Sequence, residues 1–110
     1  MIIEKLEIKK YQSSLNGELK FMDAEISQED CEKMINRLVS WKLGPLTPTR
    51  HFEMVYNTEK KEAELDVYVS VPFPKSSENP IHTVKHVSNK LTGFLDLYEK
   101  CFEDIYGIKR

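Results

Sequence analysis

KEAELDVYVSVP, residues 61 to 72, reads as a β-strand almost letter by letter. Leu65, Val67, Val69 and Val71 alternate with Glu64, Asp66, Tyr68 and Ser70. A period of two sends successive side chains to opposite sides of a sheet, so one row builds a core and the other faces outward. The outward row combines two carboxylates, a phenol and a hydroxyl, and a binding function would sit on that row.

Working toward the C-terminus, FPKSSENP (residues 73 to 80) is an exposed loop punctuated by Pro74 and Pro80. Ile81 to Val87 reads as a fifth strand, rich in β-branched residues. Ser88 or Asn89 then caps a second helix. Its apolar stripe is Leu91, Phe94, Leu95, Tyr98, Cys101, Phe102 and Ile105, in steps of three and four, and Gly107 stands at the C-terminal cap.

Working toward the N-terminus, Arg50 to Tyr56 is a strand in which Phe52, Met54 and Tyr56 alternate, joined to the strand after it by a charged turn at Asn57 to Lys61. Ahead of it lies the turn-rich LGPLTPT. Ser27 caps a first helix with Asp30 three residues on. Cys31, Met34, Ile35, Leu38 and Trp41 carry that helix to about Lys42, where Gly44 and Pro45 stop it. Met34 and Val39 widen its apolar stripe, which means either deep burial or an exposed patch for a protein contact. Ile2 to Tyr11 and Glu18 to Ile26 are two further strands, with Asn16-Gly17 between them as a type I′ hairpin turn. The order β-β-α-β-β-β-α predicts an α+β domain, an antiparallel sheet with two helices packed on one face. A faint internal repeat of strands and helix runs through it.

A chain of 110 residues is one domain, spanning 1 to 110, and is long enough to bury a core without staples. A net charge of -2 with scattered lysines gives no attraction to phosphate, so no nucleic-acid partner is expected. No stretch reaches the roughly 18 apolar residues of a membrane span. The opening MIIEKLEIKK has no signal-peptide character. Cys31 and Cys101 show no metal or redox spacing and read as buried free thiols. A cytoplasmic protein fits these features.

The element order and the run Asp66-Val67-Tyr68-Val69-Ser70-Val71-Pro72 resemble the gyrase-inhibitor-like small-molecule-binding domain, also called the bacterial effector-binding domain. That family duplicates a strand-helix-strand-strand unit and closes its midpoint strand with proline. The resemblance implies a turn at Asn89-Lys90-Leu91 and a helix tyrosine at Tyr98. Where many members carry a glutamate two residues after the strand's aspartate, this chain has Tyr68, so an uncharged aromatic ligand is implied rather than a cation. The family's closing β-hairpin is absent, which leaves a sheet edge for a partner strand or for the extra N-terminal strand to cover.

The candidate ligand-binding residues are therefore Tyr68, Tyr56, Glu64, Asp66, Phe52 and Tyr98, as an apolar-walled pocket with a few placed polar groups. The competing reading is a solvated sheet face. His82 and His86 with His51 suggest a metal, but residues four apart on a strand lie roughly 13 Å apart, too far to share one zinc ion. No metal, cofactor or catalytic residue is assigned; Tyr68 with Glu64 is the one pair that could be nominated for a small hydrolase. The expected function is a non-catalytic effector-binding domain, a ligand sensor or sequestering protein for a small apolar or aromatic molecule. The alternative is a protein-interaction or accessory module that has lost the ligand site and binds a partner or itself.

Overall fold

The computed structural model describes residues 1–43, 49–72 and 80–110, apart from the side chains at 42, 43 and 80–83. Strands β1 (Ile2–Lys10) and β2 (Ser14–Asp23) precede helix α1 (Gln28–Leu38), which tightens into a 3-10 turn at Val39–Leu43. Strands β3 (Thr49–Asn57) and β4 (Glu62–Pro72) follow, and α2 (Pro80–Tyr106) closes the order. The sheet runs β1-β2-β4-β3 with every neighbouring pair antiparallel. It consists of two hairpins, each followed by a helix, joined through β2 and β4. The internal repeat is thus a ββα unit used twice.

β4 behaves as its alternation requires: Ala63, Leu65, Val67 and Val69 are buried, whereas Tyr68 between them is exposed. Register aligns them with Phe21, Leu19 and Gly17 of β2 and with Met54 and Phe52 of β3, so one face of the sheet is apolar across three strands. Both helices cover that face. α2 lies over β2 and β4, and α1 over β3 and β4. Met34 and Leu38 of α1 meet Leu91, Phe94, Tyr98 and Phe102 of α2 in one core, while Leu95 is half-buried at its margin. Trp41 is also buried, packed edge-on to Phe94 at 5.0 Å, whereas Val39 is exposed.

Local signals account for the helix ends. Ser27 has extended backbone and its hydroxyl accepts from the Asp30 amide at 3.3 Å, satisfying a first-turn donor. At the far end of α2, Gly107 takes φ +71° and donates its amide to the Glu103 carbonyl at 2.8 Å, a left-handed cap that turns the chain back. The Asn57 side chain accepts from the amides of Glu59 and Lys60 and so builds the β3–β4 turn.

Two expectations are corrected. Residues 81 to 87 are not a fifth strand but the opening turns of α2, which starts at Pro80. Proline suits the first helical position, where its missing N–H costs nothing. Val87 lies one helical step before Leu91 and is fully buried, so the core stripe begins earlier than the β-branched composition suggests. Asn89, Lys90 and Leu91 are consequently helical and form no turn. Pro74 and the whole of 73 to 79 lie outside the described residues, as do Gly44 and Pro45.

The second correction concerns Asn16 and Gly17, which sit inside β2 opposite Lys9 and Ile8. The hairpin turns earlier, where the Tyr11 amide bonds the Ser14 carbonyl at 2.8 Å. Gly17 is required for a different reason. A Cβ there would stand 2.5 Å from Cγ1 of Val87 and 3.0 Å from Cδ1 of Leu91. The glycine lets α2 approach the sheet closely.

Gly17→Ala ordinarily strengthens a strand, but here Val87 is a buried, β-branched side chain with little rotamer freedom. The substitution is expected to destabilise by about 1 to 3 kcal/mol. Val87→Ala in the same chain should recover part of that loss, so urea denaturation of the four variants of the cycle will show coupling. Additive effects would exclude the close approach.

Candidate functional site

The face of the sheet away from the helices is open. Register places Glu7, Glu18, Tyr68 and His51 in one row across the four strands, and Lys5, Lys20, Asp66 and Glu53 in the next. Cross-strand neighbours at this spacing touch directly. The Tyr68 hydroxyl donates to Oδ2 of Asp66 at 2.9 Å, and its ring stacks on His51 with centroids 6.3 Å apart. Lys5 binds Glu18 at 2.7 Å. Asn16 accepts from Ser70 at 2.7 Å, and Asn57 donates to Glu64 at 3.0 Å.

The charges in these rows influence one another. Partial burial, then the neighbouring Glu18, pushes the Asp66 carboxyl above its usual range, and Tyr68 offsets this only in part. Lys5 holds Glu18 below its usual range. Donation to Asp66, reinforced by Glu18, pushes the Tyr68 phenol far up. Tyr68 is thus a fixed, protonated donor. Oδ1 of Asp66 is buried and makes no hydrogen bond among the described residues. The Tyr68–Asp66–Glu18 cluster presents negative charge with an aromatic plate beside it, an arrangement that can accept a cationic or hydrogen-bond-donating group from outside.

Two shallow hollows flank the row. One, of about 150 Å³, is lined by Glu7, Lys9, Tyr11, Asn16, Glu18 and Tyr68; the other, of about 140 Å³, by Lys20, Glu53, Val55, Glu64 and Asp66. Small-molecule sites usually enclose roughly 300 to 1,000 Å³. Each hollow has about half of that lower bound or less.

The six sequence-predicted residues do not gather in one place. Glu64, Asp66 and Tyr68 share the open face. Phe52 pairs with Val67 and Tyr56 with Ala63, so both point to the helix side, Phe52 fully into the core. Tyr68 and Tyr56 are therefore on opposite faces, and Tyr68 bonds Asp66 rather than Glu64. The sequence overlooked His51, Glu18 and Lys5 as neighbours of Tyr68. His51 could have been found from its alternation with Phe52, but Glu18 and Lys5 need the β2–β4 register.

The histidines are also separated by the sheet. His51 is on the open face, whereas positions 82 and 86 belong to α2 on the other side. On a helix, residues four apart are one turn apart, contrary to the strand spacing expected for 82 and 86; the His82 side chain lies outside the described residues. Cys31 and Cys101 are buried free thiols, and burial pushes both upward, so neither is a ready nucleophile.

Tyr98 is a core residue. Its hydroxyl donates to Oδ2 of the fully buried Asp23 at 2.5 Å. Arg110 reaches the same carboxylate at 2.7 and 2.9 Å, and its guanidinium lies 3.8 Å over the Phe102 ring. Burial alone would raise the Asp23 carboxyl, but Arg110, Tyr98 and the Glu25 amide together hold it below its ordinary value. Among family models, curated proteins and solved structures, none matches the chain.

Because the folded Asp23 carboxyl lies below the free value of 3.8, its stabilisation is complete above that value and is lost as pH falls through the folded one. Asp23→Ala is expected to cost about 3 kcal/mol at neutral pH, by leaving the buried Tyr98 hydroxyl without its acceptor and Arg110 with only Glu25 and Glu99. The gap between wild type and Asp23→Ala in urea unfolding should narrow as pH drops below about 4. A gap that stays constant to strongly acidic pH would contradict the ion-pair assignment.

Proposed function

We propose that this domain is a non-catalytic protein-interaction module that works through the open face of its sheet, with Tyr68 at the centre of the contact surface. The observation that carries this reading is the position of Tyr68. Tyr68 is 41% exposed on a polar, laterally open surface, braced by Asp66 and His51 rather than enclosed by apolar walls. Exposed aromatic residues held rigidly among charged neighbours suit protein contacts, since tyrosine adds area with little loss of side-chain entropy. Phe52, which a small-molecule pocket would need as a wall, and Tyr98, a candidate ligand residue, are committed to the core, and Tyr56 packs against it.

The effector-binding reading keeps one point of support, the hollow of about 150 Å³ beside Tyr68, which suits a fragment-sized aromatic molecule. It is the second reading because the hollow is shallow and the aromatic residues assigned to it are dispersed.

Tyr68→Ala combined with His51→Ala should leave the urea midpoint close to wild type, since exposed sites change stability by about 0.5 kcal/mol or less. The same variant is expected to lose partners captured by the wild-type chain from its own cell extract. Identical captures from both proteins would refute the contact surface. Thermal shifts of several degrees with aromatic compounds, removed by Tyr68→Ala, would instead establish the small-molecule reading.

A further inference from the structure

The two edges of the sheet differ. At the β3 edge the helix-side residues Phe52 and Met54 are buried under α1, so pairing there would cover little apolar surface. At the β1 edge the corresponding residues are bare. Leu6 lies opposite the buried Leu19, and Ile3 opposite the buried Phe21, yet Leu6 is 64% exposed and Ile3 49%. The helices stop short of them, because α2 rests on β2 and β4. Ile2, on the far side of the irregularity between Ile3 and Lys5, is 66% exposed. An edge strand with a bare apolar row on the core side is a template for another strand.

We infer that a second copy of this chain covers this edge, β1 pairing antiparallel with β1 of the second copy about a two-fold axis at Leu6. The charge pattern of the strand selects both the partner and the register. Side chains on opposed strands must share a face, which restricts self-pairing to axes on a residue. An axis at Lys5 sets lysine against lysine, and one at Glu7 sets glutamate against glutamate; both are unfavourable. An axis at Leu6 sets Lys5 against Glu7 of the second copy, twice by symmetry, with Leu6 on Leu6 between them. Glu7 can accept this lysine, since its contacts with Lys5 and Lys9 of its own strand are 3.4 Å long. An axis at Ile8 would pair Glu7 with Lys9, but Ile8 is already half-buried and has less to gain than Leu6.

The contact is isologous and closes on itself, so it yields a dimer rather than a fibre. The axis is perpendicular to the sheet, so the two sheets become one with all helices on one side and both Tyr68 rows on the other. The inference goes beyond the function of the open face and does not depend on what binds there. The irregularity after Ile3 shortens the ladder, which makes the dimer modest in size and concentration-dependent.

Sedimentation across a range of concentrations, to about 1 mM, should show the mass rising from 12.9 kDa toward twice that value. Leu6→Lys, a change at an exposed position, should raise the dissociation constant at least about tenfold by setting like charges on the axis. Leu6→Cys should oxidise to a covalent dimer, because residues directly opposed on antiparallel strands have Cα atoms about 4.5 to 5.5 Å apart, within disulfide reach. Ile8→Cys should not, since the two cysteines would be separated by roughly 13 Å along the strand. The native Cys31 and Cys101 are buried and do not compete. A monomer at every concentration overturns the proposal. Cross-linking through Ile8→Cys in preference to Leu6→Cys overturns the Leu6 axis.

Discussion

The carboxylate of Asp23 is the one fully buried charge among the described residues, and the arrangement of the helices depends on its neutralisation. An unpaired carboxylate in a dry site would cost several kcal/mol. Here Tyr98 from α2 and Arg110 from the segment after it converge on the end of β2, and the guanidinium is sandwiched against Phe102 and Glu99. The left-handed cap at Gly107 lets the chain reverse and bring Arg110 back. At the other end of β2, Gly17 admits Val87 and Leu91. α2 is thus held at two points along one strand, by charge at one end and by close packing at the other. Tyr106 adds a third hold, donating to Asp30 at 2.6 Å and so joining the end of α2 to the first turn of α1.

Fixing α2 in this way commits Leu15, Leu19 and Phe21 of β2, Phe52 and Met54 of β3, and Ala63, Leu65, Val67 and Val69 of β4 to the core, and leaves the opposite face without cover. The outward row of β4 acquires its character from neighbours contributed by other strands. Tyr68 alone would be a mobile phenol; between Asp66, Glu18 and His51 it becomes a fixed donor in a mosaic of charge. The surface is rigid because its backbone is the back of the core.

Much of this was legible in local sequence, and the remainder failed for identifiable reasons. The alternation from Ala63 to Val71 and the Ser27 cap are short-range patterns, and both appear where the sequence puts them. Asn16-Gly17 is a strong turn signal, but the alternation Leu15, Gly17, Leu19, Phe21 runs straight through it, and burial of that row outweighs a local preference worth about a kcal/mol. Thr83, Val84 and Val87 look like a strand, yet Val87 and Leu91 already keep helical spacing, and tertiary packing on Gly17 decides for the helix. The alternation of Phe52, Met54 and Tyr56 with His51, Glu53 and Val55 already turns the β3 aromatics toward the core. What could not be read locally is which residues stand beside Tyr68, because Glu18 and Lys5 are set there by the β1–β2 and β2–β4 registers.

The use of one ββα unit twice has a further consequence, for how the chain reaches this state. Each hairpin closes a short loop, β1 to β2 across Tyr11 to Ser14 and β3 to β4 across Asn57 to Glu62, and such closures take roughly microseconds. The ladder that unites them pairs Ser14 with Pro72 and Asp23 with Ala63, positions far apart in the chain. That seam must bring the two halves of the chain together before most of the core can close, so the entropy of a long loop is spent there. Until β2 meets β4, each half exposes an apolar strand face and an unpaired edge. The centre of the finished sheet is thereby also its costliest junction to close, and the point at which a slow or crowded chain is most exposed to pairing with the wrong half.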